Sequence, residues 1–311
     1  MPRRIPISII ALAASAATLG GSGVAMSQVV GEPIPVPGDI RCRLAADTRP
    51  NANVINGTDQ NDVLEGTPGV DVIDGFDGND VILGGGENDV ICGNDGNDTV
   101  DPGNGNDVVY GGADNDEVLA SEGDDTVRGD GQVDTLNGGE DDDTLSGGTE
   151  RDTLSGGPGV DDLLGGFGPD RLDGGAGDDK IRGGDPTDAD FDRTVADGGS
   201  GKDRIFGAAG DDLLRGGPGD LDDIEGLEGN DRIEGGGGDD LLAGQNGNDD
   251  IFGDAGKDKL DGGDLDDDLV AGSGDDIELL GGSGRDRLAG GPGQEALCDA
   301  GGDPGDEVRG C

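Results

Sequence analysis

Histidine and tryptophan are missing from this 311-residue chain, and aromatic side chains are few, with one tyrosine and five phenylalanines. Histidine is the most common general base in enzymes, and sugar-binding clefts usually present aromatic side chains. These absences argue against catalysis, including glycoside hydrolysis, although that reaction needs only a pair of carboxylates. With no histidine and only four cysteines, a soft-metal site is not available either. We therefore predict that the protein is not an enzyme.

Basic residues are also scarce. Lysine and arginine total 20 against 71 aspartates and glutamates, so the formal net charge is −51. Such an acidic chain repels nucleic acid and anionic lipid, and neither is expected as a partner. Low hydrophobicity combined with a high net charge is typical of disordered chains. Disorder is thus the alternative to a folded domain, and we predict it for the metal-free state.

What the chain does have is glycine, 69 residues of it, arranged in a nine-residue repeat. In Gly75–Val100 a glycine-rich turn leads three times into Asn-Asp and a short β-branched strand, which places Asp80, Asp89 and Asp98 nine residues apart. Residues 56–181 divide into fourteen such units, with aspartate always seventh and Leu, Ile or Val always ninth. A disordered polyanion has no reason to keep this register.

The repeat continues to residue 297 through less regular units, which gives 26 units in all. The unit Arg182–Ala196 is longer and carries an insertion at 186–196, whereas the units that start at Arg215 and Val270 are each one residue too long. These irregularities are expected to bulge from the turns, because the apolar ninth positions resume their spacing after each of them.

Each unit is predicted to be a six-residue turn followed by a three-residue strand. Glycines at the second, third and fifth positions allow left-handed backbone angles, which aim several carbonyl oxygens at one spot. The seventh-position aspartate adds a carboxylate, and a flexible set of about six to eight oxygens suits calcium better than magnesium. Because the ninth residue must point inward, consecutive units lie on opposite faces and units n and n+2 stack. Asp80 should therefore share a site with Asp98, and Asp89 with Asp107.

This stacking predicts an all-β fold, a parallel β-roll or β-helix solenoid of about 26 nonapeptide units with two units in each coil. About 13 coils would extend roughly 60 Å at ~4.8 Å per coil. One inward side chain per unit makes a thin core, and unscreened aspartate rows repel each other. We therefore predict that folding is coupled to calcium binding.

The pattern G-G-x-G-x-D-x-U-x, where U is a large apolar residue, resembles the RTX (hemolysin-type) calcium-binding repeat family across 56–297. The resemblance implies a two-sheet roll with several calcium ions held between stacked turns. The turns that end at Asp116, Asp134, Asp143 and Asp152 depart from the pattern at the fifth position, so the predicted set excludes them. The predicted metal ligands are Asp71, Asp80, Asp89, Asp98, Asp107, Asp125, Asp161, Asp170, Asp179, Asp203, Asp212, Asp231, Asp240, Asp249, Asp258, Asp267, Asp276 and Asp286.

The four cysteines allow three disulfide pairings, and free or intermolecular thiols are the alternative. We favour Cys42–Cys92 and Cys298–Cys311, since each bond would clamp one end of the solenoid, where fraying is greatest. The resemblance supports the first pair, because some secreted RTX-like proteins share a cysteine ahead of the repeats and one in a D-V-I-C-G turn. Disulfides also require an oxidising compartment, which fits export.

The two ends of the chain differ from the repeats. Residues 1–27 are predicted to be a secretory signal peptide, in which Arg3 and Arg4 precede an apolar run. A membrane anchor is the alternative, although the run is too short to span a bilayer. We predict a proline-stiffened cap or linker at 28–55 and a C-terminal cap at 298–311, because a repeat stack needs atypical ends.

Together these features predict a secreted, extracellular and non-enzymatic protein that folds on calcium into a rigid structural, surface or matrix module. Its expected partners are calcium ions, with no membrane span and no nucleic acid, and a cell-surface or polysaccharide partner is left open. A calcium-dependent adhesin is the main alternative, and a carbohydrate-active enzyme is a weaker one.

Overall fold

The computed structural model describes residues 40–184, 192–219, 221–293 and 297–311, all within one compact unit, Pro37–Cys311. The predicted signal peptide, residues 28–39 of the predicted N-terminal cap and the first part of the insertion lie outside these residues. In the described part, one helix, α1 (Ile40–Thr48), precedes a long series of short strands. No helix among the described residues has the length and apolarity that a membrane crossing requires.

The strands alternate between two parallel sheets, so each sheet collects every second strand. The odd-strand sheet contains β1 (Asn53–Asn56), β3 (Asp71–Asp77), β5 (Val90–Asp95), β7 (Val108–Ala113), β9 (Thr126–Asp130), β11 (Thr144–Thr149), β13 (Asp162–Phe167), β15 (Lys180–Gly184), β17 (Arg204–Phe206), β19 (Asp223–Glu228), β21 (Leu241–Asn246), β23 (Lys259–Asp264), β25 (Glu278–Ser283) and β27 (Cys298–Asp299).

The even-strand sheet faces it across the core. It contains β2 (Val63–Glu65), β4 (Val81–Gly86), β6 (Thr99–Asn104), β8 (Glu117–Glu122), β10 (Thr135–Glu140), β12 (Thr153–Pro158), β14 (Arg171–Ala176), β16 (Val195–Ser200), β18 (Leu213–Pro218), β20 (Arg232–Gly237), β22 (Asp250–Ala255), β24 (Asp268–Val270), β26 (Arg287–Ala289) and β28 (Glu307–Arg309).

The pairing register confirms the predicted stacking of unit n on unit n+2. Ile73 is opposite Ile91, and Leu145 is opposite Leu163, in each case 18 residues further along the chain. The parallel β-roll with two units in each coil is therefore confirmed, with fourteen strands in each sheet against about thirteen coils predicted. The extra coil arises because β1 precedes the predicted first unit and β28 follows the predicted last one. The last predicted unit is one residue out of register, since Cys298 rather than the exposed Leu297 lies opposite Leu279.

The core is a single file of ninth-position side chains between the two sheets. Outside β3 and β5, these side chains alternate with exposed or half-buried neighbours along the strands, as expected for one inward position per unit. The buried file consists of Leu64, Ile73, Ile82, Ile91, Val100, Val109, Val118, Val127, Leu136, Leu145, Leu154, Leu163, Leu172, Ile181, Ala196, Ile205, Leu214, Ile224, Ile233, Leu242, Ile251, Leu260, Leu269, Leu279 and Leu288.

Helix α1 packs on the outward face of the odd-strand sheet rather than across its first edge. Cys42, Val72, Val90 and Cys92 form a second apolar cluster there, separate from the main core. The favoured Cys42–Cys92 disulfide is present and joins the helix to β5. Covering this patch lets β3 and β5 carry valine on a face that is polar or half-exposed in the later strands.

The C-terminal segment prolongs both sheets. β27 pairs with β25 and β28 pairs with β26, so residues 298–311 form part of a last coil. The favoured Cys298–Cys311 disulfide is also present and closes this coil covalently. No free cysteine remains among the described residues.

Candidate metal sites

The seventh-position aspartates lie at the junction of turn and strand and are buried. All eighteen aspartates of the predicted set expose 2% of their surface or less. Carboxylates are rarely so buried without a partner, because removing a charge from water costs several kcal/mol. Each buried carboxylate therefore needs a group nearby that compensates its negative charge.

One oxygen of each carboxylate is used by a ladder that links successive coils. The backbone N–H of Asp80 donates to Oδ1 of Asp98 at 2.8 Å, and the N–H of Asp89 donates to Oδ1 of Asp107 at 2.6 Å. The same bond joins Asp161 to Asp179 at 2.9 Å. The predicted neighbours are thus adjacent, and each carboxylate is fixed by the coil before it.

The second oxygen of most of these carboxylates is buried and accepts no hydrogen bond. This holds among the described residues for Oδ2 of Asp80, Asp89, Asp98, Asp107, Asp116, Asp125, Asp134, Asp143, Asp152, Asp161, Asp170, Asp179, Asp203, Asp231, Asp240, Asp249, Asp258, Asp267, Asp276 and Asp286. An unsatisfied buried carboxylate oxygen is costly, and a cation is the group that would satisfy it without a proton.

A backbone carbonyl converges with this oxygen in most of the coils whose second residue is glycine. A methyl carbon placed on Gly75 would lie 2.5 Å from Oδ2 of Asp80 and 2.8 Å from the carbonyl oxygen of Gly93, one coil further on. At Gly235 the distances are 2.6 Å to Asp240 and 2.9 Å to Gly253. The spot beside each second-position glycine is therefore lined by acceptors, which suits a hard cation.

In the part of the chain that the structure describes, no three His, Cys, Asp or Glu side chains gather as a metal site. A cation held here would consequently rest on one carboxylate oxygen and several backbone carbonyls. Calcium accepts such mixed sets of carboxylate and carbonyl oxygens, whereas transition metals favour nitrogen and sulfur.

The turns keep a left-handed backbone at the third and fifth positions. Gly85 has φ of 120°, and Glu87, two residues later, has φ of 65° although it carries a side chain. Each such residue lies close to a carbonyl of the previous coil; a methyl carbon on Gly78, for example, would meet the Gln60 carbonyl oxygen at 2.8 Å. The stack therefore imposes the turn shape even on residues that resist it.

A family model for the RTX calcium-binding nonapeptide repeat matches this chain at residues 56–91, 74–109, 84–118, 93–127, 110–145, 119–154, 137–172, 155–185, 194–220, 222–251, 244–278 and 261–294. These matches cover well over half of the sequence. The chain belongs to the RTX calcium-binding repeat family. A search of curated proteins found no match. Calcium is thus the cation that the repeats bind as a class, and it would supply the positive charge that the buried Oδ2 atoms lack.

The turns left out of the predicted ligand set, because they depart from the consensus, have the same geometry as the other RTX turns. Asp116, Asp134, Asp143 and Asp152 are buried, and each Oδ1 accepts a backbone N–H from the previous coil, as between Asp98 and Asp116 at 2.9 Å. Their fifth residues are not glycine but still adopt φ between 74° and 79°. The seventh-position aspartate, rather than the fifth-position glycine, was the signal that would have found them.

Asp222 is another seventh-position residue that the predicted set omits. It is fully buried, and its Oδ1 accepts the N–H of Asp203 at 2.8 Å. Its unit has one extra residue, which lies in the turn before Asp222. Asp222 is therefore the eighth rather than the seventh residue when the unit is counted from its first residue. Counting backward from the buried Ile224 would have identified it.

Asp71 and Asp212 of the predicted set are placed differently. Oδ2 of Asp71 accepts the Thr67 N–H at 2.6 Å, and Oδ2 of Asp212 accepts the Ala208 N–H at 2.6 Å. In these turns the third residue is threonine or alanine rather than a left-handed glycine. Their carboxylates are already satisfied within the turn, so a cation would have to displace an existing hydrogen bond. Their role as ligands stays a prediction.

A second ladder, not foreseen from the sequence, runs along the outside of the turns. The N–H of Asn97 donates to Oδ1 of Asn79 at 3.3 Å, and the N–H of Asn248 donates to Oδ1 of Asn230 at 2.9 Å. These sixth-position bonds point backward along the chain, opposite to the aspartate ladder. Asn and Asp are frequent at the sixth position of the RTX units, and this frequency was the sequence signal for the second ladder.

Burial changes the acidity of the inner carboxyl groups. Desolvation raises the pKa of Asp89 to about 7, and the Asp71 N–H that it accepts offsets only part of the rise. Burial likewise raises the pKa of Asp116 and Asp231 to about 8, with neighbouring carboxylates adding to the effect. Without a cation, these groups would therefore hold protons near neutral pH.

We expect metal-free protein to gain β structure on acidification. The folded-state pKa values of about 6 to 8 lie above the ordinary value of 3.8, so folding takes up protons. Stability from these groups is greatest below the unfolded pKa and is lost as pH rises through the folded pKa values. Circular dichroism of calcium-free protein between about pH 8 and pH 5 should show the β signal rising. An unchanged spectrum across that range would contradict the assignment of these groups.

One position interrupts a column of the RTX aspartates. Thr194 occupies the seventh place in the long unit, where it is buried and its N–H donates to Oδ1 of Asp212 at 2.6 Å. A hydroxyl carries no charge and offers a weaker ligand than a carboxylate. The even-strand column of carboxylates is therefore broken between Asp170 and Asp212.

Restoring the carboxylate by Thr194→Asp is expected to add one bound calcium ion per chain. The backbone at this position already matches the other coils, so the substitution supplies only the absent charge. Thr194→Asn is the matched control, since it has a similar shape without the charge and should add no ion. Native mass spectrometry in calcium would count the ions. Equal counts in the aspartate variant and the unmodified protein would show that the break lies elsewhere.

Proposed function

We propose that this RTX repeat protein is secreted and non-enzymatic, and that it folds on calcium into a rigid extracellular module of a surface or matrix. The observation that carries the proposal is the pair of buried acceptors, a free Oδ2 and a glycine carbonyl, that recurs from coil to coil along both edges of the roll. A site that serves catalysis or one ligand would be local. Sites spread over the whole solenoid serve its stiffness instead.

Calcium-coupled folding gives such a module a natural place to form. Extracellular calcium modules commonly have dissociation constants on the order of 10⁻⁴–10⁻³ M. With sites of that affinity, the chain would stay unfolded at low calcium concentrations and would fold into the β-roll where calcium reaches millimolar concentrations. The two disulfides are compatible with the same oxidising, external compartment.

Secretion is tested by recovering the protein from cells that produce it. We expect it in the medium or on the cell surface, with a mature N-terminus near Gln28 by terminal sequencing. Rigidity is tested by pulling single molecules between their ends with and without millimolar calcium. We expect a stepwise resistance to unfolding in calcium and a featureless polymer response in chelator. Retention inside the cell would refute secretion. Equal force responses with and without calcium would refute calcium-dependent rigidity.

An adhesive role is the second candidate, and one surface feature favours it. A groove of about 310 Å³ crosses the last strands of the even-strand sheet, with Phe252 and Val270 on one side and Asp268 and Arg287 on the other. An aromatic ring beside charged side chains can hold a sugar. A polysaccharide array probed in calcium would detect this activity. Phe252→Ala should abolish the binding and Phe206→Ala, on the other sheet, should leave it intact.

A further inference from the structure

The last coil continues the repeat register beyond the residues that the family model matches. β28 places Glu307 opposite Arg287 and Val308 opposite Leu288, and the Glu307 N–H donates to the Asp286 carbonyl at 2.8 Å. These are the bonds that the eighth-position residue makes in most of the earlier coils. Asp306 therefore holds a seventh position, although its sequence surroundings do not follow the repeat.

The turn of this coil resembles those that end at Asp71 and Asp212, because Oδ2 of Asp306 accepts the Gly302 N–H at 3.1 Å. Oδ1 of Asp306 accepts the Asp286 N–H at 3.2 Å, which continues the aspartate ladder by one more step. Gly301 has φ of 82° and occupies the third position, where left-handed residues occur in the earlier turns. A second bond, from the Gly284 N–H to Oδ2 of Asp303 at 3.1 Å, joins the outsides of the two turns.

An unsatisfied ligand points to a site between these turns. Asp286 is fully buried, and its Oδ2 accepts no hydrogen bond. In the earlier coils this oxygen meets the second-position carbonyl of the following coil, and the register gives that position to the buried Ala300. The last coil thus completes the surroundings of Asp286, and the site does not exist without it.

The last coil is held by two short strand pairings, a few hydrogen bonds and the disulfide. Its strands have two and three residues, and Val308, at an inward position, still exposes 48% of its surface. The Cys298–Cys311 bond ties the start of the coil to its end across the two sheets. Cys311 is exposed, whereas Cys42 and Cys92 expose 1% and 0%. A thiol reagent would therefore reach the C-terminal bond first.

We propose that the Cys298–Cys311 disulfide is a thiol-sensitive lock on the last calcium site, the one formed by Asp286 and the turn 300–306. A dithiol would donate two electrons and two protons to the bond, yielding the Cys298 and Cys311 thiols and leaving the dithiol as a disulfide. The freed coil would then detach, and the site at Asp286 would lose one wall. This inference rests on the proposed calcium-binding function and specifies how one of its sites is regulated.

The test is mild reduction of the calcium-loaded full chain with dithiothreitol, followed by alkylation. Peptide mapping should find label on Cys298 and Cys311 and none on Cys42 and Cys92. Native mass spectrometry should then show one calcium ion fewer per chain than in the oxidised protein. Hydrogen exchange should rise at least ~10-fold in 299–309, as expected for local opening, with the central coils unchanged.

Two variants make the link to Asp286 specific. Asp286→Asn keeps the Oδ1 acceptor and removes the charge, so the oxidised variant should already lack that ion and reduction should remove no further one. Cys298→Ser with Cys311→Ser should match the reduced protein without any reagent. If the labelled protein keeps all its ions and its amide protection, the lock is refuted. If the oxidised protein holds no calcium at all, the proposed function itself fails.

Discussion

Moving the protein from millimolar calcium into chelator at neutral pH is expected to abolish most of its β-sheet circular dichroism signal. The physical reason is the number of buried carboxylates that the fold contains. Most of the free Oδ2 atoms face a carbonyl rather than a donor, and each buried charge costs several kcal/mol when it has no partner. Burying one apolar side chain returns only about 1.5–3 kcal/mol, and each unit has one.

The change in size should be as large as the change in spectrum. Fourteen coils at ~4.8 Å make a roll about 67 Å long, and a rod of that length has a radius of gyration near 20 Å. An unfolded chain of the 275 residues from 37 to 311 would have a radius of about 58 Å. Small-angle scattering with and without calcium separates these values easily.

Magnesium is the control for this experiment. It demands octahedral geometry and retains its waters, so it should not restore the compact form at the same concentration. A β signal and a small radius that both survive in chelator at neutral pH would contradict calcium-coupled folding.

The second large effect is expected from a single substitution at a second-position glycine, Gly174→Val. A Cβ on Gly174 would lie 2.5 Å from Oδ2 of Asp179 and 2.6 Å from the carbonyl oxygen of Gly198. The carbonyl belongs to the backbone of the next coil and has no freedom to move aside. The new side chain would therefore fill the place where the two oxygens converge, and we expect the protein to lose one calcium ion.

The expected loss of stability adds two contributions. Overpacking costs about 1–3 kcal/mol, and an ion at about ten times its dissociation constant contributes about 1.4 kcal/mol. Thermal or denaturant unfolding in calcium should thus show a loss of about 2–4 kcal/mol. The matched control is Gly237→Val, because a Cβ at Gly237 meets no atom within 4 Å. Equal losses of stability in the two variants would show that the space beside the second-position glycine is not a calcium site.

Much of this architecture follows from the nine-residue spacing alone. The fixed distance from Asp80 to Asp98, together with one inward residue per unit, leaves only the stacking of unit n on unit n+2. The sequence also indicated which cysteines could pair, since the ends of a solenoid are where a bond is most useful. Both favoured pairs are present in the structure.

The different roles of the two carboxylate oxygens could not be predicted from the sequence. In the sequence the two oxygens are equivalent, and only the offset between stacked coils directs Oδ1 to a backbone N–H and leaves Oδ2 free. The same offset holds Glu150 at φ of 78°, a strained angle that the consensus reserves for glycine. The residues of a single turn therefore do not reveal that the turns ending at Asp143 and Asp152 share the geometry of the others.

Helix α1 was also missed, for a different reason. Its first turn contains no acidic residue, its last turn no basic one, and Ile40–Leu44 alternates apolar with basic residues, so the local pattern does not favour a helix. Tertiary contacts stabilise it instead: Cys42 is bonded to Cys92, and the Arg41 guanidinium lies 4.0 Å from the centre of the Tyr110 ring. Such contacts join residues far apart in the chain, where spacing rules give no information.

The most direct test of calcium as the link between coils is a calcium titration of metal-free protein at neutral pH. Bound ions are counted by equilibrium dialysis, and β structure is followed by circular dichroism on the same samples. We predict up to about twenty ions per chain, at most one for each free Oδ2, taken up over the concentration range in which the β signal appears. A full β signal before any ion binds, or saturation at only a few ions with the roll complete, would contradict the account.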